Sequence, residues 1–280
     1  MEINVCIIHY NSQDTIVCLE SLMRQTCPCR VVLVDNHSTD GSITHLEQYI
    51  ADKTNIVLLK APVNGGFAAG NNLALRWAKK NTPDSWNLLL NNDTYLPADF
   101  IEKLTSVAKK NQIETNSLFA LGATEYKYGT EQKNHSGIHY ISLPTGLAMT
   151  QTGWLRKPYI CGACLLLNPA APLLNETYFL YFEDADYGEL LRQHGYQLLT
   201  TDETHYYHKV GGSTRLNPDK LRIEYTSLWH FYDLHYPKWK PIVRLFRVIE
   251  NAFRGRWEVV KIIKDTYNHK NNEPKSSYTH

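Results

Sequence analysis

Leu88-Leu89-Leu90-Asn91-Asn92-Asp93 decides the architecture, because a short apolar run passes without transition into three polar residues. Bounded by a turn signal, the run reads as a strand over Asn87–Leu90 with a carboxylate just beyond its carboxyl end. Upstream, Asn4–Ile8, Arg30–Val34 and Asn55–Leu59 have the same β-branched, apolar character. Between and after them, Thr15–Arg24, Ser42–Ile50, Ala68–Lys80 and Ala98–Lys109 carry helical periodicity. This alternation predicts a parallel sheet wrapped by helices. Past residue 117 shorter segments follow, Leu118–Ala123, Ser136–Tyr140 and Ile160–Leu167, so the second half reads as mixed. Phe182–Gly195, Lys220–Asp233 and Ile242–Lys264 read as helices, and Asn268–His280 is polar enough for a disordered tail.

Ligands of such sheets bind beyond the carboxyl ends of the strands, and here every strand end is polar. His9-Tyr10-Asn11 follows the first strand, Asp35 to Gly41 the second, Asn64 to Gly70 the third and Asn91-Asn92-Asp93 the fourth. Asp35 either serves its turn or accepts hydrogen bonds from a base or ribose. Gly65, Gly66 and Gly70 around Phe67 allow close backbone approach to a ligand, although the spacing is neither G-x-G-x-x-G nor a P-loop. Asp93 caps a loop or binds a hard divalent cation that also grips phosphate oxygens.

The strongest local feature is Tyr178-Phe179-Leu180-Tyr181-Phe182-Glu183-Asp184-Ala185-Asp186-Tyr187, three acids in four residues behind an almost wholly apolar approach. Acids in a first helical turn offset the helix dipole. That does not account for the apolar approach, which should push at least one carboxyl pKa upward and suit it to general-base work. Downstream, His205-Tyr206-Tyr207-His208-Lys209-Val210-Gly211-Gly212-Ser213 ends a strand pattern with groups able to ligate a metal or hold phosphate, though a histidine on a strand is usually structural.

With 280 residues, 43% of them hydrophobic, the chain can build a large enzyme core. No apolar run approaches a membrane span and no signal peptide opens the sequence, so a cytoplasmic location is expected. The six cysteines are too scattered for a disulfide scaffold. Cys161-Gly162-Ala163-Cys164 lacks a second ligand pair at zinc spacing, so buried, reduced thiols are expected. Charge is uneven: residues 1–236 hold 19 Lys and Arg against 24 Asp and Glu, whereas 238–270 hold 9 against 3. In that basic tail, Trp239, Ile242, Leu245, Ile249, Phe253 and Trp257 interleave with Lys and Arg. The pattern fits an amphipathic helix on an anionic membrane surface, or one packed on the rest of the chain or a second subunit. An acidic site argues against nucleic acid.

From Ile3 to Ser213, five motifs in order resemble the inverting family 2 glycosyltransferases, especially the rhamnosyltransferase-like and galactofuranosyltransferase-like branches, the former first. The resemblance implies a GT-A type, Rossmann-like, mainly parallel α/β sheet flanked by helices, with a C-terminal helical extension. It divides the chain into a catalytic domain at 1–215, a helical extension at 216–268 and a tail at 269–280. Within the catalytic domain, 1–115 is the nucleotide-binding half and 116–215 the acceptor and catalytic half. His9, Tyr10, Asn11, Asp35, Asn64, Gly66, Gly70, Asn71 and Asn92 then stand at the donor nucleotide, and Asp93 and His208 at a Mg²⁺ or Mn²⁺ ion. Lys209 stands at the diphosphate, Glu183 and Asp184 match the catalytic pair with Asp184 as base, and Gly162, Ala163 and Asp186 stand at the acceptor. Asn91 replaces the first acid of the D-x-D motif, which leaves Asp93 more of the coordination.

The expected reaction moves a sugar, first of all rhamnose from a dTDP donor and otherwise a sugar from UDP, to a hydroxyl of a glycan or lipid-linked glycan in surface polysaccharide synthesis. The expected site of action is the cytoplasm or the inner face of the membrane, with a homo-oligomer admitted. A sugar-1-phosphate nucleotidyltransferase would carry Lys or Arg in the first loop, and His9–Thr15 holds neither. A non-catalytic nucleotide-sugar or carbohydrate-binding module has no need of Glu183, Asp184, Asp93 and His208 together.

Overall fold

The computed structural model describes residues 2–115, 117–209 and 218–267. Its first half runs β1 (Ile3–His9), α1 (Asp14–Met23), β2 (Arg30–Asp35), α2 (Ser42–Ile50), β3 (Ile56–Lys60), α3 (Gly66–Asn81) and β4 (Trp86–Asn91). The strands lie parallel in the order β3-β2-β1-β4. Their apolar side chains alternate between two cores, as a period of two requires. Val5, Ile7, Val31, Leu33, Leu88 and Leu90 pack with Leu19, Leu46 and Phe100. Cys6, Val32, Val34 and Leu89 pack with Ala74, Leu75 and Tyr187 on the other face. Register levels the polar edge, because His9 pairs with Asp35, Ile8 with Asn91 and Asp35 with Lys60, so the ends of all four strands lie side by side.

The second half continues through β5 (Thr94–Tyr95), α4 (Phe100–Thr115), β6 (Phe119–Lys127), β7 (Lys133–His135), β8 (Ile138–Ser142), β9 (Ala148–Met149), β10 (Arg156–Ile160), β11 (Cys164–Leu167), α5 (Glu183–Gln193) and β12 (Gln197–His208). β11 enters the main sheet antiparallel to β4 and β6, β12 runs parallel to β6, and β5 closes that edge. β10, β8 and β9 form a separate small sheet. The segment expected as one strand, Ile160–Leu167, is therefore two strands in different sheets, broken at Cys161–Ala163. The small sheet sits close on the large one: a Cβ on Gly122 would lie 2.7 Å from Ile160 Cγ2.

Three helices follow, α6 (Pro218–His235), α7 (Lys240–Phe253) and α8 (Trp257–Thr266). The helix expected over Ile242–Lys264 is divided at Gly255, whose φ is +66°. Gly255 N–H donates to Ala252 O at 3.0 Å and Arg256 N–H to Asn251 O at 2.9 Å, the paired bonds of a Schellman cap. α6 and α8 build a third core from Tyr225, Trp229, Phe231, Ile262 and Ile263, into which Tyr159, Tyr178 and Ala185 also pack. The extension therefore lies directly on α5. All six cysteines are free, and no helix among the described residues is long and apolar enough to cross a membrane. The turn at Gly211-Gly212-Ser213 and the tail at 269–280 lie outside the described residues.

Candidate active site

Tyr181 and Phe182 both adopt left-handed backbone, at φ 68° and 65°, a conformation that costs non-glycine residues roughly 1–2 kcal/mol each. They turn the chain abruptly into α5, so that Glu183 and Asp184 open the helix. Asp184 Oδ1 accepts the Ala185 N–H at 2.8 Å, and its Oδ2 accepts the Gly162 N–H at 3.4 Å. Glu183 is 7% exposed, and its Oε2 has no hydrogen-bond partner among the described residues. Burial pushes both carboxyls above the usual range, and the neighbouring charge of Asp184 adds to the effect on Glu183. Asp186 is 3% exposed and committed elsewhere: Tyr178 O–H reaches its Oδ1 at 3.2 Å and His235 Nε2 at 2.7 Å. That contact ties α5 to α6, and both bonds fall on Oδ1 of Asp186, the residue expected at the acceptor.

A second centre forms where β4 and β12 end. His208 Nε2 lies 3.0 Å from Asp93 Oδ1 and 3.4 Å from Asn91 Nδ2, and its Nδ1 lies 3.0 Å from Glu125 Oε2. Burial lowers the His208 pKa, but hydrogen bonds and charge from Asp93 and Glu125 outweigh it and lift the value to about 9. Asp93 and His208 are hydrogen-bonded directly to each other, and once the imidazole gives up its proton the two would offer a carboxylate oxygen and a neutral ring nitrogen, a donor set that suits a divalent cation. The Lys209 N–H donates to Asp93 O at 3.0 Å, while its Nζ reaches Asp14 and lies 5.1 Å over the Tyr128 ring.

The loops expected at the nucleotide form a lattice of polar contacts. His9 is fully buried, with Nδ1 at 2.8 Å from Thr15 Oγ1 and Nε2 at 3.0 Å from Ser42 Oγ, so both ring nitrogens hold helix starts in place. Asp35 is buried and accepts the Ser38 N–H at 3.1 Å. Asn11, at φ 45°, exchanges hydrogen bonds with Thr39, while Tyr10 beside it is half-buried. Asn64 Oδ1 accepts the Gly66 N–H at 3.0 Å and the Asn36 amide at 2.9 Å. Gly70 backs onto Ile8, and buried Asn71 donates to Phe67 O at 3.0 Å. Asn92 donates to Thr15 Oγ1 at 2.9 Å. Next to these, Asn72 is 1% exposed and pairs with residue 174 as a peptide would, donating to Leu174 O at 2.8 Å and accepting its N–H at 2.9 Å.

The turn at Cys161–Ala163 joins the two centres. Gly162 faces Asp184, and Ala163 O accepts the Asn91 N–H at 3.0 Å. One turn therefore positions the α5 carboxylate and the end of β4. Sequence reasoning passed over Glu125, Thr15, Ser42, Phe179 and His235. Glu125 is 2% exposed in β6 and gathers Tyr206 O–H at 2.8 Å, Asn134 Nδ2 at 2.8 Å and His135 Nε2 at 3.2 Å besides His208. Glu125 lies beyond the Leu118–Ala123 run read as a strand, and no local pattern marked it. His135, His139 and Cys161 also converge, with ligand atoms within 4.8 Å, but both His135 nitrogens are engaged, by Glu125 and the Gly137 N–H.

Together these features define a GT-A type α/β fold with a half-buried Asp184 beside buried Glu183 at the start of α5 and an Asp93–His208 pair at the carboxyl edge of its sheet. The family model for glycosyl transferase family 2 matches residues 4–171, and the chain belongs to that family. Over 117 residues it is 35% identical to a poly(ribitol-phosphate) beta-glucosyltransferase of Bacillus spizizenii, a match spanning 40% of this chain and 18% of that longer protein. The structure of S. aureus TarS 1-349 in complex with UDP superposes with a TM-score of 0.53 at 15% identity, over 95% of this chain and 91% of that one. The longer TarS chain is covered over 55% of its length. A mannosyltransferase from Pyrobaculum calidifontis in complex with GDP-Man and Mn²⁺ superposes with a TM-score of 0.57 at 15% identity, over 95% and 73% of the two chains.

Proposed function

We propose that the chain transfers a sugar from a nucleoside diphosphate donor to an acceptor hydroxyl with inversion at the anomeric carbon. The observation that carries the reading is the Cys161–Ala163 turn, which holds the Asp184 carboxylate and the Asp93–His208 pair in one frame. Asp184 takes the acceptor's hydroxyl proton as the oxygen attacks; the bond from the anomeric carbon to the diphosphate oxygen breaks on the opposite face. Asp93 and His208 would hold a Mg²⁺ or Mn²⁺ ion, with Asn91 beside them. Such a cation supplies positive charge to the departing diphosphate. Lys209 adds a cation at the same edge, and the loops at His9–Asn11, Asp35, Asn64–Asn71 and Asn92 frame the nucleotide. Gly162 and Ala163 border the acceptor side, while Glu183 keeps the surroundings of Asp184 apolar by holding its own proton.

The UDP bound to TarS favours a UDP-sugar, and the glucosyltransferase name of the Bacillus relative favours a glucosyl group, over the dTDP-rhamnose that the branch resemblance suggests. The acceptor is then a hydroxyl of a cell-surface glycan, free or lipid-linked, reached from the cytoplasmic side. A thermal-shift panel of UDP-, dTDP- and GDP-sugars with and without Mn²⁺ selects the donor, and nucleotide release with added acceptor reads the transfer. Asp184→Asn should lower transfer by about 10²–10⁴-fold while donor-induced stabilisation persists. A variant that retained most of its transfer rate would take the base role away from Asp184.

A further inference from the structure

α7 is apolar on two sides. Val243, at 0% exposure, and the partly buried Val248 pack into the third core. Away from it, Ile242, Leu245, Ile249 and Phe253 are 48%, 61%, 45% and 90% exposed. At 3.6 residues per turn these four fall within an arc of about 80°, so they form one stripe along the outside of the helix. Trp257, just past the Gly255 turn, is 67% exposed. Scattered single apolar residues are ordinary on a surface, but a continuous stripe with Phe and Trp at one end marks a contact.

The basic residues divide into two sets. Lys240 and Arg244 lie 4.8 Å and 4.4 Å over the Tyr267 ring, and Arg247 lies 5.3 Å over Tyr225, so these fasten α7 to its neighbours. Lys238, Arg254, Arg256, Lys261 and Lys264 are exposed in the same segment, Arg254 also lying 3.2 Å from Glu250, against Glu258 and Asp265 as exposed acids. We propose that this outer face of α7 docks on an anionic lipid bilayer, with the stripe in the acyl boundary and the cations among headgroup phosphates. Charge complementarity favours this occupant: a second copy of the same face would bring its own cations against these, whereas anionic headgroups neutralise them.

The docking surface stands apart from the transfer reading and is tested without it. Full-length protein is sedimented with vesicles of phosphatidylcholine and with vesicles of phosphatidylcholine and phosphatidylglycerol in equal parts. The expected result is pelleting with the anionic vesicles and little with the neutral ones. The double variant Leu245→Glu, Phe253→Glu should lower the bound fraction by about tenfold or more, because both apolar burial and charge attraction are lost. Arg254→Glu with Arg256→Glu should weaken binding to the anionic vesicles alone. An unchanged melting temperature shows that the variants fold, and an unchanged thermal shift with nucleotide sugar separates a failure of docking from a failure of the donor reading. Equal pelleting of wild type and the Leu245→Glu, Phe253→Glu variant would overturn the proposal. So would a wild-type dimer by light scattering that this variant turns into a monomer, with no vesicle binding by either.

Discussion

A methyl group at position 66 would lie 1.9 Å from the carbonyl oxygen of Phe179, on a backbone already at φ +79°. Glycine is required there because Phe67 N–H donates to that same carbonyl at 2.9 Å, pulling the α3 entrance onto the segment that leads to Glu183. Gly66→Ala should cost about 2 kcal/mol or more, from left-handed strain plus the displaced contact, read as a lower denaturant midpoint with an unchanged slope. At Glu183 the effect depends on pH. Its folded pKa is raised to about 8 by burial and by Asp184, above the ordinary carboxyl value. The protonated form therefore favours the fold: this contribution is complete below the unfolded pKa and is lost as pH rises through about 8. Glu183→Gln should leave stability near pH 5 almost unchanged and raise it near pH 9 by roughly 1–3 kcal/mol, measured by calorimetry across pH.

Among the elements, α5 depends on α6 through one buried pair. Removing the imidazole in His235→Ala leaves the Asp186 carboxylate 3% exposed with the Tyr178 hydroxyl as its remaining partner, and should destabilise by about 3 kcal/mol in chemical denaturation. The first four strands and their helices were legible because each strand is an uninterrupted apolar run closed by turn residues; the expected Asn87–Leu90 is β4 at Trp86–Asn91. Ile160–Leu167 was not, since its apolar pattern continues across Cys161–Ala163 while its pairing changes sheets. Gly255 stood in plain view, but a lone glycine in a helical pattern is often tolerated, and the Schellman bonds that end α7 exist only in three dimensions. Asp93, Asp184 and His208 announced themselves by lying at element ends. Glu125 did not, because its donors come from residues 134–135 and 206–208, and nothing local in Thr124-Glu125-Tyr126 foretells them.

Across the whole molecule the boundary near residue 216 is crossed by a core. Tyr159, Tyr178 and Ala185 share it with Tyr225, Trp229 and Phe231, so a chain ending at residue 217 would bare a large aromatic surface beside α5. Such a truncation should aggregate or melt at least about 10 °C below the full chain, measured by expression yield and differential scanning fluorimetry. The side-chain amide of Asn72, set against Leu174 like an extra rung of sheet, extends the same interdependence to the other face of the molecule. For recombination among relatives this sets where chimeras can be cut. A crossover between residues 72 and 174 asks two separate ancestries to supply the halves of one interlocking pair, whereas a crossover placed after α5 passes that pair on whole.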